Sequence, residues 1–178
     1  MVDLTSTFMG MTLKNPVVPS ASPLSSDLDT IKLMEDAGAG AVVLHSLFEE
    51  QIEFEAEAMD HFLQHGTDSF AEALSYFPQV HEYRREPDDY VEHIRKAKEA
   101  VDIPIIPSLN GISTGGWTSY AKKFEEAGAD GVELNIYFIP TDFNLMSYDV
   151  EDLYVKLLKE MKKQLGIPVA RMRKQIVL

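Results

Sequence analysis

Four short stretches gather side chains able to hydrogen-bond a ligand: Ser20-Ala21-Ser22, His45-Ser46, Ser108-Leu109-Asn110-Gly111, and Asn135. Each closes an apolar run that suits a buried strand, and ligands of parallel α/β folds sit at the carboxyl ends of such strands. Hydroxyls, amides and one imidazole in that position form a rim suited to a polar heterocycle with few fixed charges. The same residue types also turn a chain at strand ends without binding anything. His45 has an unperturbed pKa near ~6.5, so it can donate a proton or bond a ligand carbonyl, or it can serve as a satisfied structural residue.

Other chemistries find less support. His61 and His65 stand four apart and can share a helical face, but no third ligand follows at a recognisable spacing, so no metal site is expected. The run GISTGG at 111–116 opens a helix at Thr118 and offers backbone N–H groups to a phosphate. It lacks the dinucleotide glycine pattern and the P-loop lysine. A nucleophile elbow is absent. The chain has no cysteine, which excludes disulfides, thiolate metal sites and a cysteine base together and fits a cytosolic protein.

The elements that must position the rim are legible from an internal echo. EDAGAGAVVLHS at 35–46 returns as EEAGADGVELNI at 125–136, each copy reading helix end, glycine stop, strand. A second echo joins DIPIIPSLNG at 102–111 with GIPVARM at 166–172, where proline stands at a strand entrance. Amphipathic spacing predicts helices over 27–37, 88–100, 118–127 and 150–165, with Asp88 and Asp149 placed as N-caps. Strands are expected over 16–20, 41–45, 103–108 and 131–135, with a fifth beginning at 167. Ahead of them, Thr7-Phe8 and Thr12-Leu13 read as a hairpin turning at Met9-Gly10, and a helix is expected around 49–62. This alternation is α/β with right-handed crossovers and a parallel sheet, either open and doubly wound or a (β/α)₈ barrel.

At 178 residues and 45% hydrophobic content the chain can bury one core, and a formal net charge of −13 disfavours nucleic-acid and membrane-surface partners. Neither a leader pattern nor an apolar run of membrane length is read from it.

The stretches MGMTLKNPVVPSASPL, EDAGAGAVVLHSLFEEQI, PIIPSLNG and GADGVELNIYFIP, in this order, resemble the amino-terminal half of the dihydroorotate dehydrogenase family, in its dihydroorotate dehydrogenase-like branch. The resemblance implies a partial (β/α)₈ TIM barrel over 1–170, about four βα units plus the start of strand five, carrying FMN at its carboxyl face. It further implies CH–CH oxidation of a dihydropyrimidine-like ring, a small-molecule substrate, and a place in cytoplasmic pyrimidine biosynthesis. Carried over by position, Ala21 and Ser22 lie against the flavin, and Asn110 and Asn135 face the flavin or the substrate ring. His45, followed by Ser46, stands where the family carries a flavin-contacting lysine. After Asn135 the family supplies a cysteine or serine base; here 136–140 reads Ile-Tyr-Phe-Ile-Pro, and Tyr137, with an unperturbed pKa near ~10, is its proton-bearing side chain. His45 and Tyr137 are thus the catalytic candidates.

The basic stretch 171–178 departs from the barrel pattern and reads as a tail, with the phosphate-binding loops of later strands missing. The alternative expectation is a non-catalytic half-barrel that binds no flavin and self-associates, or forms a homo-oligomer, through exposed sheet edges. A phosphate-binding aldolase or isomerase would call for a strand-end lysine or paired carboxylates, which these strand ends do not offer.

Overall fold

The computed structural model describes residues 2–50, 86–111, 117–138 and 140–172. Most of the helix expected over 49–62, His61, His65, most of the glycine-rich run and the tail from 173 lie outside them.

Two strands, β1 (Ser6–Phe8) and β2 (Met11–Leu13), form the expected antiparallel hairpin. Its turn places both Met9 and Gly10 at positive φ, 53° and 79°, the mirror-image geometry that matches the twist of a tight hairpin. Four strands then build one parallel sheet in sequence order: β3 (Val42–Phe48), β4 (Ile105–Asn110), β5 (Val132–Asn135) and β6 (Val169–Met172). Doubly wound sheets reverse their strand order at a switch point, whereas an unbroken order of this kind is that of a barrel wall. Helices α1 (Leu28–Asp36), α2 (Glu86–Ala100), α3 (Trp117–Glu126) and α4 (Ser147–Gln164) alternate with the strands, and their apolar stripes form one core with Val42, Leu44, Leu109 and Leu134. The other sheet face carries Ala41, Val43 and Ile106, which pack under Leu13, Met9 and Met11 of the hairpin.

Residues 16–20, expected as the first parallel strand, do not form one. They lie along the start of β3, accepting bonds from Gly40 N to Val17 O (2.8 Å) and from Val43 N to Pro19 O (3.0 Å). Pro16 and Pro19 have no N–H to give, so the segment holds the place of a strand without a full ladder. Two cap assignments are corrected as well. Asp88 lies inside α2, which starts two residues earlier because Pro87 is tolerated in a first helical turn. Asp149 is the third residue of α4, and its carboxylate accepts the N–H of Met146 at the cap (2.9 Å). The last strand continues through Arg171 and Met172, two residues into the stretch read as a tail. The Arg171 guanidinium stacks over the Tyr154 ring at 3.8 Å.

The echo is a repeated joint. Gly38 and Gly128 end α1 and α3 at φ 98° and 95°, with matching bonds Ala39 N to Met34 O (3.0 Å) and Ala129 N to Phe124 O (3.1 Å). Glu35 Oε1 then accepts the N–H groups of Asp102 and Ile103 (2.9 and 3.1 Å), and Glu125 Oε1 accepts that of Gly166 (2.7 Å). Each carboxylate binds the chain entering an Ile-Pro strand.

One junction departs from regular pairing. Pro107 of β4 has no donor, and opposite it β3 carries one extra residue, shifting the register between Val43 and Ser46. The Tyr90 hydroxyl of α2 fills the gap, donating to His45 O (2.7 Å) and accepting from Ser108 N (3.1 Å). Burial pushes this phenol far above its ordinary pKa, so it keeps the proton it donates. Tyr90→Phe leaves a buried carbonyl and a buried N–H unpaired. The expected loss is about 2 kcal/mol of stability and roughly 4–8 °C in Tm, read by urea and thermal unfolding; an unchanged midpoint would contradict this role for the hydroxyl.

Candidate functional site

Above the hairpin, the inner face of the sheet becomes polar in two layers. Parallel register aligns Ser46 with Ser108 and Ser108 with Glu133 in the first layer. Two residues further on it aligns Asn110 with Asn135 in the second. Alternation puts Ile106, Ser108 and Asn110 on one face, so the order from the hairpin outward is apolar floor, hydroxyl and carboxylate layer, amide rim.

The floor is tightly closed. A Cβ on Gly131 would lie 2.8 Å from the Met9 Cε and 3.2 Å from Pro168 O, so the Met9 side chain of the hairpin packs directly on the entrance to β5. Ala21 packs on the floor cluster from the loop that follows residues 16–20. The adjacent Ser22 uses its carbonyl to accept both the N–H and the hydroxyl of Ser25 (3.2 and 2.9 Å), which folds the short 3₁₀ turn Pro23–Ser26.

In the middle layer, Ser46 Oγ lies 2.9 Å from Ser108 Oγ, and the Ser108 hydroxyl donates to Glu133 Oε1 at 3.2 Å. Glu133 is 8% exposed; burial raises its pKa, partly opposed by the bond from Ser108. The rim residue Asn110 is 7% exposed, and its side-chain Oδ1 has no hydrogen-bond partner among the described residues. Such a buried acceptor suits an N–H brought by a ligand. Asn135 is half-buried, and its carbonyl accepts from Gly111 N at 3.3 Å. Gly111 has its own reason to be glycine: an added Cβ would lie 2.7 Å from Glu49 Oε2, so the Glu49 side chain packs on the end of β4. Tyr137 donates its hydroxyl to Glu50, and burial followed by that carboxylate pushes the phenol up to about 12. Tyr137 therefore keeps its proton at neutral pH and donates it to Glu50.

The structure separates His45 from Ser46. The extra residue in β3 sends Ser46 to the inner face and turns the His45 ring toward α2, edge-on to Tyr90 at 4.9 Å between centroids and 5.7 Å from His93. Its Nδ1 is buried with no hydrogen-bond partner among the described residues. Burial lowers its pKa, the neighbouring His93 adds to this, and the Ser25 backbone opposes it. Thus Ala21, Ser46, Asn110 and Asn135 gather on the inner side of the sheet while His45 belongs to the helix layer. Two participants were not singled out from sequence. Glu133 sat within a run read as wholly buried strand, although a carboxylate in such a run was itself a signal. Tyr90 carried no local signal, since its role depends on a bulge formed far away in the chain.

Among the described residues, no group of three or more metal-ligating side chains occurs and no helix is long and apolar enough to cross a membrane.

No family model matches the chain. Over 172 residues, 95% of its length, it is 28% identical to the catalytic subunit of dihydroorotate dehydrogenase B (NAD(+)) of Thermoplasma acidophilum, covering 53% of that protein. It is 26% identical over 172 residues to the NAD-dependent dihydropyrimidine dehydrogenase subunit PreA of Escherichia coli, covering 94% of this chain and 41% of that one. The chain spans about half the length of these curated relatives, and the similarity is to their amino-terminal part, as the motifs implied. Among solved structures, dihydrodipicolinate synthase of Agrobacterium tumefaciens aligns at a TM-score of 0.46 and 14% identity over 88% of this chain and 42% of that one.

The environment of His45 sets a pH dependence. Its folded pKa lies below the unfolded value of 6.5, so the unfolded chain binds the extra proton first. This contribution is complete above the unfolded pKa and is lost as pH falls through the depressed folded pKa. His45→Gln lacks the titration. Urea unfolding at neutral and at mildly acidic pH should show the native protein losing stability relative to the variant on acidification; a gap that does not change with pH would contradict the account.

Proposed function

We infer that the chain forms the amino-terminal part of a flavin-dependent oxidoreductase acting on the CH–CH bond of a dihydropyrimidine-like ring. The observation that carries this reading is the layered inner face, whose amide rim holds a buried Asn110 Oδ1 with no hydrogen-bond partner among the described residues, above a hydroxyl and carboxylate layer. Support also comes from the relatives, dehydrogenases of dihydroorotate and of dihydropyrimidine by name.

The residues fit a polar heterocycle. Asn110 would accept from a ring N–H, Asn135 would bond a ring carbonyl, and Ala21 packs on the floor. His45 does not join this group, because its ring is held against α2. A bound FMN would supply the two-electron acceptor for a hydride. The side chains would orient the rings, and the Met9 seal at Gly131 would exclude water from beneath.

A second reading, a non-catalytic half-barrel that self-associates, is favoured by one observation: β6 pairs with β5 alone among the described strands, leaving its other edge open. One experiment separates the two. Added FMN should lose fluorescence on binding the chain, and Asn110→Leu should weaken that binding about tenfold, the scale of one lost hydrogen bond of about 1.4 kcal/mol. Unquenched flavin with a large oligomer on gel filtration would leave only the second reading.

A further inference from the structure

The middle layer holds a chain of side chains that ring recognition alone does not use. Ser108 has one hydroxyl hydrogen. Donating it to an ionised Glu133 leaves the Ser108 oxygen to accept from Ser46, so the two contacts of 2.9 and 3.2 Å run in one direction, Ser46 to Ser108 to Glu133. When Glu133 is protonated, the direction reverses. Ser108 and Glu133 are buried and Ser46 is half-buried, so Ser46 is the end open to a ligand. Around Glu133, β4 presents Ser108, β6 aligns Ala170 with it, and the nearby titratable group is Tyr90 on α2, a neutral phenol whose own proton the Glu133 charge helps to retain. Burial keeps the proton affinity of Glu133 above that of an exposed carboxylate, which makes it a stronger proton acceptor.

We propose that Ser46, Ser108 and Glu133 form a proton relay that takes a proton from a ring carbon beside a carbonyl in a cyclic ureide or imide and stores it on Glu133. The C–H bond breaks and its electron pair stays on the ring as an enolate. The proton passes to Ser46 Oγ as the Ser46 proton moves to Ser108 and the Ser108 proton moves to Glu133 Oε1. Glu133 becomes a neutral acid, the enolate carries the negative charge, and no oxidant is consumed. Ser46 touches the substrate; Ser108 and Glu133 act through it. The relay rests on the ring-binding reading of this face and is independent of the flavin.

The test is hydrogen–deuterium exchange at the carbon beside the carbonyl of dihydrouracil, followed by proton NMR in D₂O with the 178-residue chain. The chain should accelerate exchange over buffer, and Glu133→Gln, Ser108→Ala and Ser46→Ala should each remove roughly 10²-fold or more of that acceleration, the usual scale of acid–base catalysis. Lys163→Ala, on the exposed face of α4, should leave it unchanged. Exchange should rise with pH as Glu133 ionises, with the midpoint of the Glu133 carboxyl band in infrared titration. Ser108→Ala should move that infrared midpoint upward by removing a bond to the carboxylate, and Ser108→Thr, which keeps the hydroxyl, should restore both midpoint and exchange. Exchange no faster than buffer, exchange retained in Glu133→Gln, or an infrared midpoint unmoved by Ser108→Ala would overturn the relay. Flavin quenching without exchange would reject the relay and leave the ring-binding reading standing, whereas loss of both would reject the two together.

Discussion

A phenol hydroxyl holds β3 and β4 together where their own backbones cannot. Pro107 removes a donor from the middle of the sheet, and the extra residue opposite it leaves a carbonyl and an N–H facing a gap that water cannot reach. Tyr90 satisfies both from α2. An unsatisfied pair there would cost about 1–3 kcal/mol per group, a large share of the margin by which a domain is stable. The cure also fixes the site. With the bulge held open, Val43 and Ser46 share the inner face although three residues apart, and His45 is carried to the other side. Without that offset, Ser46 would face the helices and the hydroxyl layer would lose its outer member.

The inner face therefore grades from apolar to polar along the strands. The hairpin supplies the floor with methionines, whose flexible side chains fill an irregular space beneath Gly131 and Ile106. Above it, each step outward adds hydrogen-bonding capacity, first hydroxyls against a buried carboxylate and then amides. A ligand entering from the rim meets donors and acceptors first and dry surface last. The grading sets Ala21, Ser46, Asn110 and Asn135 on one side of the sheet.

Much of the architecture was legible because it rests on local chemistry. Gly38 and Gly128 end helices through left-handed backbone, the Met9-Gly10 turn announces its hairpin, and apolar runs mark the strands of the sheet. The segment 16–20 was misread because two prolines leave an apolar run in strand position without a ladder. Asp88 was misread as a cap because Pro87 admits an earlier helix start. At the site, Asn110 and Asn135 were legible as strand-end amides whose faces follow from alternation. His45 was not, because a bulge breaks alternation, and Tyr90, whose hydroxyl satisfies that bulge, lies 45 residues away in sequence.

The repeated joint at Glu35 and Glu125 gives the fold a particular mechanical character. Each glutamate ends a helix that leads into one strand, yet it grips the backbone entering the next strand along: α1 leads into β3 and holds the approach to β4, while α3 leads into β5 and holds the approach to β6. In a solenoid each repeat touches its neighbours only, and the array can fray unit by unit. Here two of the βα units are latched ahead of themselves, like overlapping roof tiles. Lifting α1 therefore means loosening the approach to β4, and lifting α3 means loosening the approach to β6.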